Sequence, residues 1–163
     1  LSVVIALDTS GSNWDRLPNE KASIGTALSY WELVCACIEY TLVSFPGAEP
    51  WDILADKVDA AHMQTALAQL SPGASIYNEL SYDVLQAFGQ LDKVIIIVAD
   101  EAGQTMQELT ERDIAGQFTS NLVHSRIFSD NILDYDEIGE VKYLGNGTLE
   151  VKDFVPQYCT VRE

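Results

Sequence analysis

The sequence predicts an α/β domain: a doubly wound, mainly parallel β-sheet flanked by helices, with a C-terminal hairpin. Three observations predict it. Leu1–Asp8 (LSVVIALD) and Lys93–Asp100 (KVIIIVAD) are continuous apolar, β-branched runs, the pattern of strands buried on both faces. Ala22–Phe45 carries Ile24, Ala27, Leu28, Trp31, Val34, Cys35, Ile38, Leu42 and Phe45 at helical spacing, one wide apolar face. Strand-like and helix-like segments then alternate along the chain, which calls for a parallel sheet covered on both sides.

Taken in order, Leu1–Asp8 is the first strand, and Thr9 to about Glu20 a loop with Gly11, Asn13, Pro18 and Asn19 as turn chemistry. The long helix Ala22–Phe45 stops at Pro46-Gly47. Trp51–Ala55 reads as a strand, with an extended piece around Lys57–Ala60 to pair with it. His62–Leu70 reads as a short helix with Met63, Ala66, Leu67 and Leu70 on one face. A loop at Ser71–Ser75 leads into a helix from about Tyr77 to Gln90, with Tyr77, Leu80, Val84 and Phe88 inward. After Lys93–Asp100 and a loop at Glu101–Gln104, Thr105-x-x-Glu108 fits a capping box that opens a further helix. Asn121–Phe128 is a strand. Val141–Leu144 and Thr148–Val151 flank Gly145-Asn146-Gly147 and read as a hairpin, a reading preferred over a glycosylation sequon at Asn146.

The chain of 163 residues is one domain's length, unbroken by repeats or linkers, and such a domain buries roughly 70% of its unfolded surface. It is read as one domain over 1–163, with closing elements that turn atypical after about 128. Its apolar runs are strand-sized against the ~20 residues of a membrane helix, so no membrane insertion by this segment is expected. It begins at Leu1 inside a strand-like run without Met, as a fragment or processed product would, so any signal peptide lies outside it. With 25 acidic residues against 9 basic, a net charge of −16, nucleic acid and anionic membrane surfaces are poor partners. Three cysteines make no disulfide framework. Cys35 and Cys37, two apart in the expected helix, point in different directions, and buried, reduced thiols are expected. Cysteine usage leans to the cytoplasm, with an extracellular setting left open.

Ligands of parallel sheets bind beyond the carboxyl ends of the strands, and two strands here end in Asp8 and Asp100. Asp8-Thr9-Ser10-Gly11-Ser12 places a carboxylate and two hydroxyls at alternate positions of a tight loop, where they can converge on one hard cation. Gly11 is expected to permit the turn. Asp100 offers a second carboxylate, and Ser75, just before a helix start, a third hydroxyl. His62 and His124 lack metal-ligand spacing.

Asp8-x-Ser10-x-Ser12 after an apolar strand resembles the metal-ion-dependent adhesion site of von Willebrand factor A domains, a Rossmann-like family. In order and context, Ser75 matches the family's second-loop Thr and Asp100 its third-loop Asp. The order of elements agrees from Leu1 to about Phe118. Ser75 stands where the family has Thr, Ser71–Ala74 lacks the usual Gly-Gly, and the hairpin stands where the family has a further strand and a closing helix. The resemblance implies Mg²⁺ (or Mn²⁺) held by Asp8, Ser10, Ser12, Ser75 and Asp100, with an open position for an Asp or Glu of a protein partner. Trp14 and Glu101 are candidates for the rim of that surface.

Two other classes compete with this metal-dependent binding module. One is a Mg-dependent phosphohydrolase. Asp8 stands where haloacid-dehalogenase-like enzymes carry a nucleophilic aspartate, but their pattern asks for a second Asp where Ser10 stands. No GxxxxGK[ST] or GxGxxG loop is present either. The other is a scaffold whose metal site is vestigial. The expectation is a non-enzymatic binding module.

Overall fold

In the computed structural model, residues 1–45, 52–71, 93–99, 123–130 and 140–163 are described. The strands are β1 (Ser2–Asp8), β2 (Cys35–Ala36), β3 (Glu39–Phe45), β4 (Asp52–Val58), β5 (Lys93–Ala99), β6 (Val123–Ser129), β7 (Glu140–Tyr143) and β8 (Thr160–Val161); the helices are α1 (Leu17–Val34) and α2 (Ala60–Gln69). Short 3-10 turns lie at Gly11–Asn13 and Val155–Gln157.

Six strands form one sheet in the order β4-β3-β1-β5-β6-β7. β1 is its centre, parallel to β3 on one side and β5 on the other, and every residue of it is buried. The continuous apolar run at the start of the chain is therefore read correctly as a two-faced core strand. β6 and β7 continue the parallel pairing outward. β4 runs antiparallel to β3 across a bulge, where Lys57 adopts a left-handed φ of 53° and its N–H donates to Thr41 Oγ1 at 3.2 Å.

The fold class expected from the sequence does not stand. The sheet is mixed, closed at one edge by the antiparallel β4, and β2 and β8 make a separate two-stranded antiparallel sheet. The described residues contain two α-helices rather than one after each strand, and these pack on each other, with Gln64 Nε2 donating to Gly25 O and Lys21 Nζ to Leu70 O. No doubly wound layering is present among them.

Three element assignments are also corrected. The helix expected over Ala22–Phe45 begins earlier, at Leu17, and ends at Val34; Glu39–Phe45 is instead strand β3. The pieces at Trp51–Ala55 and Lys57–Ala60 do not pair, since Asp52–Val58 is the single strand β4, and Asp59 and Ala60 already open α2. The C-terminal hairpin does not form. β7 pairs parallel with β6, the chain turns at Gly145–Gly147, and Leu149 N–H donates to Ser23 Oγ on α1. The helices expected at Tyr77–Gln90 and after Thr105 lie outside the described residues.

Reduced thiols are contradicted as well. Cys35 and Cys159 form a disulfide across a sequence separation of 124, with Cα atoms 5.7 Å apart, while Cys37 is free and exposed. This bond staples β2 to β8, and Arg162 reinforces it by donating from its backbone N to Val34 O and from Nε to Glu32 O and Cys35 O. No described helix is long and apolar enough to cross a membrane.

Candidate functional site

The centre of the sheet decides where Asp8 sits. It is the last residue of β1, level with Phe45 of β3 and one step beyond the Leu7–Val98 pairing with β5. Strands on both sides and a helical turn beyond leave it fully buried. Its Oδ1 accepts from Ser10 N–H at 2.7 Å, which folds the chain back over the strand end as an Asx-type turn. Thr9 and Ser10 are buried with it. The 3-10 turn follows, Asn13 N–H donating to Ser10 O at 3.1 Å, and α1 starts four residues later.

The structure thus brings Asp8 and Ser10 together in one turn, with Ser12 on the backbone two residues on. Trp14 stands beside the turn with 64% of its surface exposed, as a rim residue requires. Ser75, Asp100 and Glu101 lie outside the described residues. The expected role of Gly11 is corrected: its φ is not in the left-handed region, and a Cβ there would meet nothing within 4 Å, so the turn does not require glycine.

Sequence reasoning missed two residues. Asn13, taken as turn chemistry, and Glu20, taken as the end of a loop, are both fully buried. Asn13 Nδ2 donates to the Asp8 backbone carbonyl at 2.8 Å and to both Glu20 carboxylate oxygens at 3.0 Å each. A signal was present. Leu17, Glu20, Ile24, Ala27, Leu28 and Trp31 are the buried residues of α1, so Glu20 is an acid in the apolar stripe, and such a position demands a polar partner.

The surroundings clamp this turn. Arg16, at the start of α1, pairs with Asp130 just beyond β6 at 2.6 Å. Asn19 Nδ2 donates to Asn146 O, and Gly147 sits so close to Arg16 that a Cβ would lie 2.7 Å from its carbonyl oxygen.

Chemically, the described donors at the turn are carboxylate, hydroxyl and amide oxygens, the set that suits Mg²⁺ or Mn²⁺ rather than softer metals. Asn13 Oδ1 is buried with no hydrogen-bond partner among the described residues, so it can accept from a water or another donor. No group of three or more His, Cys, Asp or Glu able to hold a metal lies among the described residues.

No family model matches the chain, and no curated protein matches it. Among solved structures it is similar to proximal thread matrix protein 1 from the mussel byssus, with a TM-score of 0.70 and 10% identity. The match covers 99% of this chain and 47% of that one. A second crystal form of that protein gives a TM-score of 0.68 at 13% identity, over 99% of this chain and 46% of that chain. The chain thus spans about half the length of the protein it matches. At such identity the likeness concerns the fold alone, and it is this mixed-sheet fold, not the doubly wound class expected from the sequence, that the chain shares with the byssus protein.

Proposed function

We propose that the chain is a divalent-cation-dependent protein-binding module. In this reading Mg²⁺ or Mn²⁺ at the turn after β1 engages an acidic side chain of a partner. The observation that carries it is Asp8. A carboxylate buried at the carboxyl end of the central strand, one oxygen held by the Ser10 N–H, is fixed in direction before any ligand arrives. Ser10 and Ser12 add hydroxyls from the same turn, and Ser75 and Asp100 complete the set by their place in the sequence. A hard dication held so supplies a Lewis-acidic position that a carboxylate can fill.

The chain's own residues set the terms of binding. Asp8 is buried, and the lower effective dielectric there strengthens electrostatic attraction. Trp14 offers an exposed aromatic surface beside the turn, with Glu101 as the other rim candidate. The net charge of −16 opposes an acidic partner at long range, but that field is screened beyond ~8 Å at physiological salt. No general base is required, so the reading is one of binding, not catalysis. The Cys35–Cys159 disulfide fits an oxidising compartment.

The test is capture of partners from native lysate in Mg²⁺ and again in EDTA, followed by substitution of each Asp and Glu of the captured partner. Cation-dependent capture that one acidic substitution abolishes supports the reading. Capture that survives EDTA overturns it.

A further inference from the structure

We infer that Asn13 and Glu20 are a positioning pair for the cation turn, a buried relay that holds Asp8-Thr9-Ser10-Gly11-Ser12 in its binding shape. This rests on the proposed cation site and adds to it two residues outside the D-x-S-x-S pattern.

The geometry is specific. One nitrogen, Asn13 Nδ2, is shared by three acceptors: the Asp8 carbonyl at 2.8 Å and Glu20 Oε1 and Oε2 at 3.0 Å each. Asn13 immediately follows Ser12, and Asp8 opens the turn, so this nitrogen closes the turn's two ends on each other. Glu20 belongs to the first turn of α1, an element anchored by Leu17, Ile24, Leu28 and Trp31 in the core. The pair therefore ties a loop of small side chains to the longer of the two described helices. Because Nδ2 must face these acceptors, the amide orientation is determined and Oδ1 is left as a fully buried acceptor with no partner among the described residues. A buried acceptor without a donor is costly. Water in the shell of a cation at Asp8 is a donor that would satisfy it, which links the pair to the ligand as well as to the loop.

The substitutions act on separate parts of this relay. In Glu20→Gln one acceptor oxygen becomes an amide that faces Nδ2 donor to donor, so half of the grip is lost with little change in volume. Asn13→Ala removes the shared nitrogen and Oδ1 together. Outer groups that orient ligands typically change metal affinity by about 10–100-fold.

The experiment is Mn²⁺ titration followed by electron paramagnetic resonance on the intact chain, on E20Q, N13A and the double variant, with melting in EDTA measured beside it. The expected result is one Mn²⁺ bound by the unmodified chain, about 10–100-fold weaker binding in each folded single variant, and a double variant no weaker than the poorer single. If the unmodified chain binds Mn²⁺ and either folded single variant binds it equally well, the pair is structural only and the inference fails. If the unmodified chain binds none, the cation reading itself fails. Should a variant not fold, hydrogen exchange on the unmodified chain in EDTA decides. Slow exchange at the Ser10 and Asn13 amides supports a turn set in advance by the pair, and exchange at the rate of an open loop overturns it.

Discussion

Asp8 illustrates how the physics of a single residue fixes what a mutation reports. Read from sequence, it is an acid at the mouth of a loop whose replacement by alanine leaves the fold intact; in the structure it is fully buried and caps the Ser10 N–H. Asp8→Ala strips that buried N–H of its partner and is expected to cost about 1–3 kcal/mol in urea unfolding. Asp8→Asn keeps an acceptor oxygen and is the variant that isolates charge from fold. Gly147 carries a different constraint. Its φ is +87°, and a Cβ there would stand 2.7 Å from Arg16 O. Gly147→Ala is therefore expected to destabilise by about 1–3 kcal/mol, read as a lower urea midpoint. Tyr40 responds to pH. Burial first, and Glu32 second, push its phenol from 10.0 up to about 12, with Arg162 pulling the other way. A folded pKa raised above the unfolded one means that its contribution is full below pH 10 and is lost as pH rises toward 12. Tyrosinate absorbance followed with circular dichroism should show one phenol ionising last, together with a fall in stability; Tyr40→Phe should flatten that alkaline slope.

Among the elements, β1 and β5 were legible because a strand inside a parallel sheet writes itself as an uninterrupted apolar run. β3 was not. Glu39-Tyr40-Thr41-Leu42-Val43-Ser44-Phe45 continues the apolar residues of α1 without a Gly or Pro, and Ile38, Leu42 and Phe45 keep a helical spacing by coincidence. A short apolar run cannot be assigned by periodicity alone. The actual break is the left-handed Cys37, φ 58°, a residue type that carries no turn signal. The C-terminal hairpin was misread for a related reason. Asn146-Gly147 does mark a turn, but Leu149, Val151, Phe154 and Val155 fill the core instead of pairing as a strand. Phe154 packs under Arg126, and Trp31 Nε1 donates to Lys152 O. The disulfide holds this segment down, and because it closes a loop of more than a hundred residues, Cys159→Ser is expected to lower stability by about 2–4 kcal/mol. Alkylation without reductant should modify Cys37 alone.

At the scale of the molecule, the sheet order places β1 between β3 and β5, and the turn after its carboxyl end is where the sequence pattern put the chemistry. The place of that turn was legible, since D-x-S-x-S needs only local order to be seen. The support for it was hidden, because Asn13 and Glu20 meet through the three-dimensional path of the chain. The overall architecture was hidden too: the antiparallel edge needs β3, which reads as helix, and the small β2–β8 sheet and the disulfide depend on partners far apart in sequence. The central claim is that the turn after β1 holds a hard dication through Asp8. Isothermal titration calorimetry of Mn²⁺ into the intact chain and into Asp8→Asn tests it most directly. The account predicts one site in the intact chain and none in the variant, with both melting within a few degrees of each other in EDTA. No heat in the intact chain at millimolar Mn²⁺ or Mg²⁺, or equal binding by the variant, would contradict it.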